Sequence, residues 1–321
     1  MNNDNLVSAR NPYFDNVKAI LIILVVFGHV IEFFLHIQNI KFLYMLIYSF
    51  HMPLFIFCSG YFAKRDTNNI VKRLIIPYAI FQITYLIFDR HVLEVDNIYT
   101  FTTPYWILWY LFSCIFMNII LLFIKKVNIK IVIAAFVIGL LAGRDETIGY
   151  YFSLSRTLVY FPFFIFGFYL KDINFDFFKF KSSLYVRIFS IITAICGTVY
   201  LFINTNEITH TWFYGSLSYQ YTYSNIFTRV KTYLLALIFS IFILVVIPKI
   251  NIRSFTVIGV NCMTVFLLHG FIIKYLGKEL PLGELNTNTK LWIYILFTTS
   301  ILVIVLSNKY ISKLLNTILP K

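Results

Sequence analysis

The chain is 321 residues long, with 60% apolar, 20% aromatic and only 13% charged residues, and its net charge is +13. Soluble domains carry about 25% charged residues, and a soluble fold of this size cannot hide so much apolar surface beneath a polar skin. Twelve Gly, eight Pro and four Cys exclude collagen-like, disordered and disulfide-scaffold chains. The composition is that of an all-α polytopic membrane protein.

A spanning helix needs about 20 mostly apolar residues. Ten stretches qualify: Val17–Leu35, Phe42–Phe62, Leu74–Phe88, Tyr105–Ile124, Ile131–Gly143, Leu158–Leu170, Leu184–Ile203, Tyr233–Ile247, Phe255–Tyr275 and Leu291–Ser307. The third, fifth and sixth are short, so they either extend into flanking aromatic residues or mark a locally thin region. Ten spans with both termini in the cytoplasm place 18 of the 27 basic residues inside, beginning with Arg10, and five of the 14 acidic ones. The whole +13 then lies on one face, as the positive-inside tendency asks. The cations are spread over short juxtamembrane segments rather than one stripe, which suits topology and anionic headgroups and speaks against nucleic acid as a partner. The first apolar run lacks an A-x-A-like cleavage site and reads as a span rather than a signal peptide. Frequent Ile, Asn, Lys, Phe and Tyr suggest an AT-rich bacterial genome, and so a multi-pass protein of a bacterial cytoplasmic membrane.

Ionisable residues inside spans are costly, and are therefore the functional candidates. Asp15, Lys18, His29 and Glu32 belong to the first span. The eleven steps from Lys18 to His29 return to nearly the same helix face, about 16 Å further along the axis. Asp15 and Glu32 fall within roughly 60° of that line. A neutral imidazole can take a proton from an attacking hydroxyl, and a carboxylate at i+3 can orient its ring. Plainer roles stand beside these. Lys18 can snorkel to the interface, Asp15 can complement the helix N-terminus opened by Asn11-Pro12, and Glu32 can simply be solvated. His51 precedes Pro53 and can merely satisfy a carbonyl that the proline frees. His269 lies in the outer third of the ninth span, level with His29. His36, His91 and His210 fall in outer loops and read as exposed. Without H-x3-H or HExxH spacing, no metal site is expected. Cys58, Cys114, Cys196 and Cys262 sit in apolar segments as small core hydrophobes.

The stretch Tyr13-Phe14-Asp15-Asn16-Val17-Lys18 through Phe27-Gly28-His29 resembles the opening of the type 3 membrane acyltransferases. That family has Arg or Lys, ten residues and then His on its first helix. The run from Phe50-His51-Met52-Pro53 to Ser59-Gly60-Tyr61-Phe62 is similar to the fucose 4-O-acetylase-like branch. Val71-Lys72-Arg73 to Pro77-Tyr78, Trp106-Ile107-Leu108-Trp109-Tyr110, Leu154-Ser155-Arg156-Thr157 to Phe163-Phe164, and Asn261 to Leu268-His269-Gly270 extend the resemblance over most of the chain. Lys18 stands where many members have Arg, which keeps the charge but loses the planar fork.

The resemblance implies one membrane domain over residues 1–321 that O-acylates an extracytoplasmic or lipid-linked carbohydrate, such as a surface or capsular polysaccharide. Acetyl-CoA is the implied donor, a co-substrate rather than a resident cofactor. Larger relatives carry an extra extracytoplasmic hydrolase-like domain; none is expected here, so the bundle transfers alone or hands over to a partner. Acyl-CoA, a carbohydrate acceptor and the lipid bilayer are the expected partners, with room for a homo-oligomer or glycan-assembly proteins.

In this scheme His29 is general base or acetyl carrier, with Glu32, Lys18 and Asp15 along its helix. Lys64, Arg65, Lys72 and Arg73 offer a cytoplasmic cradle for the CoA phosphates, although positive-inside bias alone would also put them there. Arg156 can stabilise an oxyanion or bind the acceptor, or anchor the helix at the interface. His51, His269, Trp106, Trp109 and Trp212 join it as acceptor-binding candidates. Trp212 belongs to the aromatic outer segment Asn204 to Arg229, which suits sugar stacking and equally an interfacial belt. A polysaccharide exporter or flippase without acyl transfer is the alternative reading.

Overall fold

The computed structural model describes residues 12–96, 99–279 and 288–319. Arg10, Asn11 and both chain ends lie outside the described residues. Within them the chain is helical with no strand, as a lipid solvent demands of a backbone that must satisfy its own hydrogen bonds. Helix α1 (Pro12–Ile31) is followed by α2 (Gln38–Tyr48) and α3 (His51–Phe62), which divide one predicted span at Ser49 and Phe50. Pro53 has no N–H to offer the Ser49 carbonyl, so the helix bends there. Helix α4 runs Thr67–Leu93 with π-helical turns at Val71–Ile75 and Asp89–Leu93. Helices α5 (Trp109–Phe123), α6 (Ile129–Leu141), α7 (Leu154–Asp172), the short α8 (Phe177–Ser182), α9 (Leu184–Ile203) and α10 (Ile226–Val246) follow. Helices α11 (Arg253–Val260) and α12 (Cys262–Glu279) meet at a 73° bend, ahead of α13 (Asn288–Leu306) and α14 (Lys309–Ile318).

Each of the ten predicted spans falls on a helix, yet among the described residues seven helical stretches, α2 and α3 counted as one, are long and apolar enough to cross a membrane, or eight with α11 and α12 counted as one. Helices α5 and α6 hold 15 and 13 residues. They are therefore about 23 and 20 Å long, short of a hydrocarbon core of about 30 Å. The sixth predicted span lengthens into Tyr151 and Phe152 as expected, to Tyr151–Asp172, whereas the third lengthens into flanks without aromatic residues, to Thr67–Leu93. The fifth does not: Asn128 caps its start and a 3-10 turn, Ala142–Arg144, follows its end.

Two buried clusters make the core, one centred on α3, α7 and α10 and the other on α1, α4, α12 and α13. Leu24, Tyr48, Met52 and Tyr110 pack against both. Within the first cluster α3 and α7 press backbone to backbone, because a Cβ on Gly60 would overlap the Phe164 carbonyl and one on Gly167 the Phe57 carbonyl. Small residues at a helix crossing permit this approach in a membrane. The seam between the clusters is where a cavity opens.

Candidate active site

His29 lies near the end of α1, which passes into a 3-10 turn over Glu32–Phe34. The turn brings Glu32 Oε2 to 3.1 Å from His29 Nδ1. A carboxylate only accepts hydrogen bonds, so Nδ1 carries the proton of the neutral ring and Nε2 keeps the lone pair. Tyr48 Oη reaches the same Nδ1 at 3.2 Å. Its ring can come so close because residue 28 is glycine: a Cβ there would lie 3.0 Å from it. The Trp106 ring packs on the imidazole at 4.4 Å between centroids, and the His269 ring lies 5.5 Å away, inclined by 26°.

His29, Glu32, Tyr48 and Trp106 border a cavity of about 350 Å3, within the size range of small-molecule sites. His29, Glu32, His51, Trp106, Trp109 and Arg156, all singled out in the sequence, line it together. The Arg156 guanidinium lies 4.8 Å from the Trp109 ring centroid and 5.3 Å from that of Tyr150, and its Nε donates to the Tyr214 carbonyl at 3.4 Å. No carboxylate among the described residues pairs with it, which leaves its charge for a ligand. His51 is buried, and its Nδ1 donates to the Ile47 carbonyl at 2.8 Å. That backbone role is of the plainer kind expected, though the carbonyl served is not the one Pro53 frees. His269 is wholly buried behind His29, with Nδ1 donating to the Val265 carbonyl at 2.9 Å.

Several cavity residues carry no local sequence signal. Tyr44, Tyr48, Tyr150, Tyr160 and Tyr214 come from α2, α7 and the connections that lead into α7 and α10. Tyr44 and Tyr48 stack at 3.8 Å, and Tyr44 Oη meets Tyr214 Oη at 2.8 Å. The Lys274 ammonium sits 4.6 Å from the Trp106 ring centroid. Gln82 was legible as a polar residue in an apolar span. Its Nε2 donates to the Thr100 carbonyl and its Oε1 accepts from the Tyr105 N–H, each at 2.8 Å. Those two bonds hold the connection that presents Trp106. His210 departs from its expected exposure: it is half-buried, its ring 5.9 Å from Tyr44 and 5.6 Å from Tyr214. Burial, helped by the nearby Lys41 charge, pushes its pKa down. His36 and His91 are exposed as expected.

The remaining candidates stand away from the cavity. Lys18 and Asp15 pair with each other at 2.6 Å, about 16 Å along α1 from His29. Lys18 also lies 5.9 Å from the Phe62 ring centroid, where α3 leads into Lys64. Lys64, Arg65, Lys72 and Arg73 are exposed at that same end. Arg65 Nη1 donates to the Lys125 carbonyl at 2.9 Å and its guanidinium lies 5.2 Å from the Phe168 ring centroid. Trp212 turns away into a cleft beside Arg229, its Nε1 donating to the Thr222 carbonyl at 2.9 Å, while its neighbours Phe213 and Tyr214 face the cavity.

Comparison with known proteins bears on what such a cavity does. A family profile described as "Acyltransferase domain", type 3, matches residues 11–308. The chain belongs to this acyltransferase family. The resemblance drawn from the first-helix motif therefore holds across nearly the whole sequence. The Nodulation protein NolL of Sinorhizobium fredii (strain NBRC 101917 / NGR234) is 46% identical over 59 residues, covering 17% of this chain and 16% of that protein. The alignment thus spans about a sixth of either chain. No solved structure matches. The multi-pass helical architecture is in keeping with a membrane-bound member of this family.

Proposed function

We propose that the protein is an O-acetyltransferase of a bacterial cytoplasmic membrane. It moves acetyl from cytoplasmic acetyl-CoA to a hydroxyl of an extracytoplasmic or lipid-linked carbohydrate, with His29 as general base. The observation that carries this reading is the His29–Glu32 contact at the edge of a cavity that Arg156 and aromatic side chains also line. Glu32 fixes the tautomer, so the Nε2 lone pair takes the hydroxyl proton as the alkoxide oxygen attacks the thioester carbonyl. Collapse of the tetrahedral adduct expels CoA as the thiolate, and Arg156 or a neighbouring donor stabilises the transient oxyanion. Trp106, Trp109 and the tyrosines give a sugar flat faces with hydroxyl neighbours.

The donor is proposed to enter from the end of the bundle that bears Lys18, Lys64, Arg65, Lys72 and Arg73, where its phosphates meet cations. A smaller apolar cavity of about 50 Å3 lies along α1 between that end and His29, bordered by Ile22, Val25, Phe55 and Cys262. It shares Met52 with the larger one, and it suits a pantetheine arm reaching towards the imidazole.

The deciding experiment compares surface glycan by NMR from cells with the native protein, with His29→Ala, or with none. Acetyl ester signals vanish in both altered strains while polymer persists. Loss of surface polymer with normal acetylation would sink the enzyme reading and favour an exporter. Trapping of a hydroxylamine-labile acetyl group on His29 would replace the general-base step by an acetyl-carrier step.

A further inference from the structure

At the Lys18 end of the bundle, a groove of about 390 Å3 lies between α8, the start of α9 and the end of α10. Lys181, Arg187 and Lys249 line it, with Ile191, Val245 and Val246 as its apolar part. Among the described residues no carboxylate forms an ion pair with any of the three. Lys181 is only 6% exposed. Its ammonium donates to the Ile247 carbonyl and rests 4.5 Å from the Tyr13 ring centroid. Burial pushes its pKa down to about 8, with the charges of Lys249 and Arg187 adding to the effect. The protein has gathered three cations in one groove and supplied no counter-charge.

Behind Lys181 is a second cavity, of about 210 Å3, walled by Leu54, Phe57, Phe163, Phe166 and Leu244. Lys181 borders both cavities. Ser240 also lines this cavity, and its Oγ is buried with no hydrogen-bond partner among the described residues. The basic groove opens beside the exposed apolar flank of α9, where Leu184, Ile188 and Ile191 project outward. That flank is the kind of surface a bilayer covers.

We propose that the two cavities form one site for an anionic phospholipid, with its phosphate on Lys181, Arg187 and Lys249 and part of an acyl chain in the aromatic pocket. The cations select the phosphate as charge-assisted donors, and a headgroup bearing its own ammonium would be repelled by them. The opening towards the apolar flank gives a bilayer lipid direct entry, which a free phosphate does not need. The site is remote from His29 and does not rest on the acyl-transfer reading.

The test uses the full chain in detergent, with binding counted by native mass spectrometry and stability read as Tm. Phosphatidylglycerol and phosphatidylcholine of identical chains are compared, with inorganic phosphate and a long-chain acyl-CoA as further probes. Phosphatidylglycerol binds about tenfold tighter than phosphatidylcholine and raises Tm, because each basic side chain near a headgroup contributes to the preference. The preference disappears in the double variant Arg187→Gln/Lys249→Gln, whose lipid-induced rise in Tm is read against its own unliganded Tm. Ser240→Leu, which fills the apolar pocket, weakens phosphatidylglycerol binding. Equal binding of the two lipids, or a preference retained by the double variant, overturns the proposal. So does protection by inorganic phosphate alone, which indicates an ion site. Displacement of phosphatidylglycerol by micromolar acyl-CoA overturns it too, by assigning the groove to the donor.

Discussion

His29 and His269 lie 5.5 Å apart between ring centroids, and the buried Nε2 of His269 has no hydrogen-bond partner among the described residues. Because His269 Nδ1 donates to the Val265 carbonyl, that Nε2 is an unmet acceptor. His29 likewise presents a lone pair on Nε2, since Glu32 holds its Nδ1 proton. His29 borders the cavity and His269 is wholly buried behind it, so His269 acts on a ligand only through the placement of the His29 ring. We expect His269→Phe, which keeps a ring but removes the acceptor, to lower acetyl transfer about 10- to 100-fold, against a loss of at least about 10³-fold for His29→Gln. Initial rates with saturating acetyl-CoA check this; a fully active His269→Phe would reduce His269 to packing.

Glu32 and Tyr48 both approach His29 Nδ1, at 3.1 and 3.2 Å, but their chemistry differs. Glu32 can offset the imidazolium charge and Tyr48 cannot. Glu32→Gln is therefore expected to lower kcat by about 10²-fold with little change in KM, and Tyr48→Phe by less than about tenfold. A larger effect from Tyr48→Phe would mean that the phenol, and not the carboxylate, sets the tautomer.

Gly60 and Gly167 let α3 and α7 meet backbone to backbone, and those helices carry His51 and Arg156 to the cavity. A larger residue must push the helices apart. Gly60→Leu should destabilise the detergent-solubilised protein by about 1–3 kcal/mol and lower activity along with Tm. Thermal unfolding monitored by circular dichroism, with activity after refolding into lipid, separates lost packing from lost chemistry.

The first-helix site was legible because it depends on the geometry of one helix. His29 and Glu32 are three residues apart, a spacing that makes neighbours on any helical turn, and they do meet. Lys18 shares their face about 16 Å further down the axis, as the eleven-residue spacing requires, and there it pairs with Asp15. What crosses between elements was not readable. Tyr48 reaches His29 because of Gly28, Arg156 meets Trp109 across α7 and α5, and Trp212 turns outward while Tyr214 turns in. Apolar length placed each of the ten stretches on a helix but did not show α8 or α14, and α5 and α6 stop at 15 and 13 residues, short of a full crossing.

Gln82 offers the sharpest separation of positioning from chemistry. It does not line the cavity, yet its two 2.8 Å bonds to Thr100 and Tyr105 fix the connection ahead of Trp106, whose ring lies 4.4 Å from His29. Gln82→Leu leaves the Thr100 carbonyl and the Tyr105 N–H without that partner, at a cost of about 1–3 kcal/mol for each group that stays buried. The loosened connection should raise KM for the acceptor more than it lowers kcat, because Trp106 is expected to orient the acceptor rather than to move protons. Gln82→Glu keeps the acceptor for the Tyr105 N–H but loses the donor to Thr100, so it should fall between Gln82→Leu and the native protein. Steady-state kinetics at several acceptor concentrations tests the order. If Gln82→Leu instead lowers kcat with KM unchanged, Trp106 belongs to the chemical step and its role must be redrawn.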